Sequence, residues 1–124
     1  MRCAVIDTNA LIYSFLQKVD LFNELRSQGI KLIIVPRTVV RELEELKKQG
    51  GKLKIASNIA LEFVKEKCKF LNSEKKKTDL DLIDVAKKYG CIIITNDKKL
   101  KRLARDNGIT VGYISHSRVK LELG

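Results

Sequence analysis

The sequence has no tryptophan, a single proline (Pro36), a single histidine (His116) and three cysteines. It also lacks any long apolar run. The most hydrophobic stretches, Lys31–Val35 and Cys91–Thr95, are of strand length, far short of the ~20 residues that a membrane-spanning helix needs. Without tryptophan, and with only 6% aromatic residues set largely on apolar faces, no basic amphipathic helix is equipped to lie on a membrane surface. Cys3, Cys68 and Cys91 are widely spaced and lack the Cys-x-x-Cys pairing of a zinc site, so they read as buried small hydrophobes. The N-terminal stretch meets an acid, Asp7, too early to form the apolar segment of a secretory signal, and the expected location is the cytoplasm. There are no repeats, no linkers and no low-complexity tract beyond Lys75–Lys77.

What is present is one domain's worth of chain: 124 residues, 44% hydrophobic and 32% charged, expected to fold as a single domain over 1–124 with an ambiguous tail at 115–124. Twenty-five Lys and Arg against 15 Asp and Glu give a formal charge of +10, which favours polyanionic partners. The excess is concentrated. Residues 87–105 carry seven basic side chains (Lys87, Lys88, Lys98, Lys99, Lys101, Arg102 and Arg105) against one acid, Asp97.

The hydrophobic pattern alternates strand and helix. Strands are expected at 2–7, Leu32–Val35, Cys68–Leu71, Cys91–Thr95 and Thr110–Ile114. Helices are expected at Ala10–Leu16, Val19–Ser27, Thr38–Gln49, Lys52–Lys67, Thr78–Tyr89 and Asp97–Asn107, with a charged loop at Asn72–Lys77. In the fourth helix Ile55, Ile59 and Phe63 recur about once per turn as its apolar side. Thr78 and Asp81 read as a capping box opening the fifth. Because the strands are continuously apolar, the economical architecture is α/β, a parallel sheet covered by helices on both faces.

Ligands of such sheets bind beyond the carboxyl ends of the strands, and acids fall there. Asp7 ends the first strand, Asp97 follows the fourth, and Asp79 opens the helix leading into it. Each could instead cap a helix. Glu42 lies about 40° round its helix from Leu46, at the border of the buried stripe of Val39, Leu43 and Leu46, where a glutamate is either a packed stem with its head in water or a ligand. Glu44 is placed to pair with Lys48 on the surface. Four clustered carboxylates repel by roughly 2 to 4 kcal/mol per close pair at an effective dielectric near 20, and so call for a cation. All-oxygen ligation suits Mg²⁺ or Mn²⁺, and two such ions can activate a water and stabilise the leaving oxygen of a phosphodiester displacement.

With these residues in order, the sequence resembles the PIN-domain nucleases. The resemblance is carried by Val5-Ile6-Asp7-Thr8-Asn9, by Val40-Arg41-Glu42-Leu43, by Asp79 with Leu82, Ile83 and Ala86, and above all by Ile93-Ile94-Thr95-Asn96-Asp97-Lys98-Lys99-Leu100. It implies a three-layer α/β/α domain around a parallel five-stranded sheet of order 3-2-1-4-5. It also implies an endoribonuclease in which Asp7, Glu42, Asp79 and Asp97 bind one or two Mg²⁺ or Mn²⁺ ions, while Asn9 and Thr95 orient those carboxylates by hydrogen bonding. Asp81 lies about 200° from Asp79 on the same helix, so Asp79 is the expected ligand, Asp81 the capping acid, and Asp84 a solvated residue. Lys98, Lys99, Lys101, Arg102 and Arg105 are the expected RNA contacts.

The family includes toxins of toxin–antitoxin pairs, often called VapC, and nucleases of ribosomal RNA maturation. The resemblance therefore implies RNA as substrate, an antitoxin protein or a ribosomal precursor as partner, a homodimer, and no membrane. The rival is a catalytically silent RNA-binding module of the same fold.

Overall fold

Cys3, Ala4, Val5 and Ile6 form an unbroken apolar run. In the computed structural model, which describes residues 2–73 and 77–122, all four are buried in the first strand, β1 (Arg2–Ile6). A strand covered on both faces belongs at the centre of a parallel sheet. β1 pairs in parallel with β2 (Ile30–Pro36) on one side and β4 (Ile92–Ile94) on the other. β3 (Lys69–Leu71) extends the sheet beyond β2, and β5 (Val111–Ser115) extends it beyond β4, both in parallel. The helices are α1 (Thr8–Leu16), α2 (Leu21–Ser27), α3 (Arg37–Lys47), α4 (Gly51–Lys67), α5 (Thr78–Tyr89) and α6 (Lys98–Asp106). α1, α3 and α4 pack on one another and α5 packs on α6, giving the helical layers of the three-layer α/β/α fold.

The first five strands follow the expected order, but the sheet has six. The tail from Arg118 forms β6 (Arg118–Glu122), antiparallel to β5, so the order is β3-β2-β1-β4-β5-β6. The chain reverses at His116, which takes a positive φ of 57°. What holds β6 is remote in sequence. Glu24 of α2 accepts from Arg118 Nε and from the Val119 N–H, both at 3.0 Å, and Gln28 Nε2 donates to the Val119 carbonyl at 2.6 Å. Gly112 of β5 is pinched between its neighbours: a Cβ there would lie 2.7 Å from Ile94 Cδ1 and 2.9 Å from Leu121 Cδ2.

Three further expectations are corrected. α4 buries Ala56, Ser57, Ala60 and Val64, whose small side chains let it approach α1 and α3, and it leaves Ile55 and Ile59 exposed instead of using them as its inner face. Glu44 pairs with Lys47 at 2.9 Å, not with Lys48, which pairs with Glu45 at 3.3 Å. Cys3 and Cys91 are not separate buried thiols but a disulfide, their Cα atoms 4.7 Å apart. The parallel register that sets Ala4 opposite Ile92 brings them side by side. Cys68 is free, and burial pushes its thiol up to about 12. The loop expected at Asn72–Lys77 lies partly outside the described residues.

Candidate active site

The sheet reverses its strand order about β1 and β4, and the chain leaves the carboxyl ends of these two strands side by side. Asp7 follows β1 directly. Its N–H continues the ladder to the Ile94 carbonyl at 3.0 Å, fixing the backbone that carries the carboxylate. Although Asp7 stands at the N-cap of α1, its side chain makes no capping bond. The carboxylate turns instead to Thr95, whose hydroxyl donates to Asp7 Oδ2 at 2.9 Å. The Thr95 hydroxyl also accepts the Asp97 N–H at 3.0 Å, so one buried hydroxyl joins the ends of both strands.

Asp97 is the N-cap of α6, and its Oδ1 accepts the backbone N–H of Lys99 at 2.8 Å and of Leu100 at 3.3 Å. Capping occupies that one oxygen in the described bonds. Asn96 fixes the same turn from the other side: its amide donates to the Ile114 carbonyl at 2.8 Å and accepts the Ile114 N–H at 2.9 Å. Glu42 reaches across from α3 and accepts a hydrogen bond from the Thr8 hydroxyl at the start of α1.

The electrostatics tie these acids into one group. Asp7 is only 7% exposed, and its carboxyl is raised from 3.8 to about 6. Burial is the largest cause, opposed by the Thr95 hydrogen bond and reinforced by the charges of Glu42, Asp79 and Asp97. Asp79, in the first turn of α5, is raised as well, by burial and then by Asp97 and Glu42, with Lys99 acting in the opposite direction. The structure thus brings Asp7, Glu42, Asp79 and Asp97 within electrostatic reach of one another, and none of them enters an ion pair among the described residues.

Asp81 does not cap α5. The N-cap is Lys77, with no side-chain capping bond, and Asp81 is fully buried, accepting the hydroxyls of Thr38 and Ser73 on Oδ2. Asp84 is exposed, as expected. Asn9 is also exposed and makes no side-chain hydrogen bond to the acids among the described residues; Thr8, one residue earlier, makes one instead. Of the basic side chains of α6, Lys98, Lys99, Arg102 and Arg105 are exposed, and Lys101 (at 3.0 Å) and Arg105 both pair with Glu122 of β6. Lys101 also lies over the Tyr113 ring, 4.7 Å from its centroid.

A four-carboxylate donor set fits a hard divalent cation. Among the described residues no three acids lie close enough to form a ready-made cage.

Residues 4–116 match the family model described as a PIN like domain. The chain belongs to this family. The PIN domain is 45% identical over 125 residues to Ribonuclease VapC9 of Archaeoglobus fulgidus, an alignment covering 99% of this chain and 91% of that protein. It is 35% identical over 120 residues to Ribonuclease VapC4 of Methanocaldococcus jannaschii, covering 92% and 91%. Among solved structures, the PIN domain endonuclease Utp24 superposes with a TM-score of 0.79 at 26% identity, covering 97% of this chain and 90% of that one. VapBC2 from Rickettsia felis, bound to a DNA fragment from its promoter, shares the fold with a TM-score of 0.65 at 16% identity, covering 90% and 98%. No helix among the described residues of this PIN domain is long and apolar enough to cross a membrane.

Proposed function

We propose that this PIN domain, acting as one domain over residues 1–124, is an endoribonuclease that hydrolyses RNA phosphodiester bonds with Mg²⁺ or Mn²⁺ held by Asp7, Glu42, Asp79 and Asp97. The observation that carries the reading is the buried Thr95 hydroxyl, which donates to Asp7 and accepts the Asp97 N–H and so holds two acids side by side at the carboxyl ends of β1 and β4, with the charges of Glu42 and Asp79 in reach of Asp7. A fold gains nothing in stability from crowding four unpaired carboxylates, so the arrangement makes sense as a cation site. The bound ion supplies water activation and charge neutralisation at the phosphate.

The protein's own residues do the rest. Thr95 and the α6 N-terminus fix Asp7 and Asp97, and Thr8 steadies Glu42. Exposed Lys98, Lys99 and Arg102, on the helix that Asp97 opens, attract and seat the RNA backbone. Two relatives named VapC ribonucleases, one of them 45% identical, support a toxin role in the cytoplasm with an antitoxin as partner; the Utp24 likeness supports processing of a ribosomal precursor. The exposed Ile55 and Ile59 of α4 give a homodimer or an antitoxin an apolar surface to cover.

The test is RNA cleavage by the wild type, Asp7→Asn and Asp97→Asn, each with Mg²⁺, Mn²⁺ and EDTA. Metal-dependent cleavage by the wild type, lost in both variants, is expected. Full activity in EDTA or undiminished cleavage by both variants overturns the mechanism, and RNA binding without cleavage under every metal identifies a silent binding module. Growth arrest on expression, relieved by a neighbouring gene, separates the toxin role from RNA processing.

A further inference from the structure

Asp81 is fully buried, yet it is an acid, and it enters no ion pair among the described residues. Its Oδ2 accepts the Thr38 hydroxyl at 2.6 Å and the Ser73 hydroxyl as well, while Oδ1 is buried with no hydrogen-bond partner among the described residues. Burying a carboxylate with half of its capacity unmet is unfavourable, and a packed apolar side chain would commonly serve stability as well or better. Such a group calls for a reason other than stability.

The three residues joined at Oδ2 supply one. Thr38 is in the first turn of α3, four residues before Glu42, and so lies one turn away on the same side of that helix. Asp81 is in the first turn of α5, two residues after Asp79. Ser73 belongs to the connection that leads from β3 towards α5. One carboxylate oxygen therefore clasps α3 to α5 within a turn of an acid on each.

The clasp works against a real force. Glu42 and Asp79 are like charges on the two clasped helices, and Glu42 is among the causes that raise the Asp79 carboxyl, so the repulsion between them opposes the clasp. The link that the structure shows from Asp81 to the acids is geometric: it runs through the Thr38 hydroxyl to the helix that carries Glu42.

We propose that Asp81 is a positioning residue that, through Thr38, sets the separation of Glu42 and Asp79 and thereby the affinity of the site for a divalent cation. This deepens the nuclease reading and rests on it.

The experiment measures Mn²⁺ binding by calorimetry on the full chain, alongside thermal melting, for the wild type, Thr38→Val, Thr38→Ser, Asp81→Leu, the Thr38→Val/Asp81→Leu double variant, and Asp79→Asn as a reference. Removing either partner of the clasp is expected to weaken Mn²⁺ binding about 10- to 100-fold, the usual effect of losing a residue that orients metal ligands. Thr38→Ser, which keeps the hydroxyl, is expected to restore it. The double variant is expected to weaken binding no more than either single change, and to melt at or above the temperature of Thr38→Val. If Asp81→Leu does not fold, Thr38→Val and Ser73→Ala carry the same comparison.

Mn²⁺ affinity within twofold of wild type in the folded variants, with only the melting temperature moved, overturns the proposal and makes Asp81 a purely structural residue. A wild type that binds no Mn²⁺, or an Asp79→Asn variant that binds it as well as wild type, overturns the nuclease reading itself, and the two failures are thereby told apart.

Discussion

The hydroxyl of Thr95 donates to Asp7 at 2.9 Å and, by accepting the N–H of Asp97 at 3.0 Å, locks the turn after β4 to the end of β1. Thr95 is fully buried, so no water can replace either bond without repacking the strand ends. Thr95→Val keeps the shape and removes both bonds. It is expected to lower metal-dependent RNA cleavage by about 10- to 100-fold, whereas Thr95→Ser is expected to retain most of it. Equal rates for the two variants, measured at saturating Mg²⁺ and again near its midpoint, would show that the hydroxyl does not orient Asp7.

The raised carboxyl of Asp7 predicts an unusual dependence of stability on pH. Its ordinary value is 3.8 and its folded value about 6, so between these values the folded state holds a proton that the unfolded state has released. Stability from this group is therefore fully present below pH 3.8 and is lost as the pH rises through 6, by about 2 to 3 kcal/mol in all. Asp7→Asn removes the titration while keeping an acceptor for Thr95. The variant is expected to melt above the wild type at pH 7.5 and level with it at pH 4. Millimolar Mg²⁺ is expected to close the gap at pH 7.5 by binding the folded wild type.

The central sheet was legible because its signals are local. Val5-Ile6 is an apolar run that ends at Asp7, Ile93-Ile94 is one followed three residues on by Asp97, and helix stops such as Gly90, at φ 68°, announce themselves by residue type. The four acids were readable for the same reason, each standing at a strand end, a helix start or the margin of a buried stripe. What escaped was decided by contacts between distant segments. β6 depends on Glu24 and Gln28, about ninety residues earlier, and the disulfide depends on a strand register that brings Cys3 beside Cys91. Asp81 passed for a capping acid because Thr78 stands three residues before it, while its actual partner, Thr38, is 43 residues away. Thr8 stood in the sequence only as part of the Val5–Asn9 motif, and its bond to Glu42 crosses from α1 to α3.

The basic side chains of α6 fall into two groups. Lys98, Lys99 and Arg102 are exposed and enter no ion pair among the described residues, whereas Lys101 and the likewise exposed Arg105 pair with Glu122 of β6. Alanine at any of the first three is expected to weaken RNA binding and to reduce the salt dependence by about 0.7 per lost contact with a single strand. Lys101→Ala and Arg105→Ala are expected to change the salt slope less and to lower the melting temperature more, because they release Glu122 and, for Lys101, the Tyr113 ring. Binding titrations from 50 to 300 mM salt, read beside melting curves, check the division. Equal salt slopes for all five variants would show that the pairing with Glu122 does not hold in solution.

The disulfide Cys3–Cys91 closes a loop with a sequence separation of 88 between the two strands whose ends carry Asp7 and Thr95. Closing a loop of that length removes enough unfolded-state entropy to stabilise the fold by about 4 to 5 kcal/mol in the chain-entropy account, with typical measured effects of about 2 to 4 kcal/mol. Both cysteines are nearly inaccessible, so mild reductant is expected to act slowly on the native protein and rapidly once it is partly unfolded. The Cys3→Ala/Cys91→Ala variant, and the wild type reduced under denaturant and refolded, are expected to melt on the order of 10 °C below the oxidised protein. Because the bond lies at the opposite end of β1 from Asp7, neither treatment is expected to alter the Mg²⁺ midpoint of cleavage at a temperature where both forms are folded. Intact mass before and after denaturing reduction supplies the control. A gain of two hydrogens confirms the bond in the purified protein, and two thiols already free before reduction would remove the basis for the predicted difference in melting.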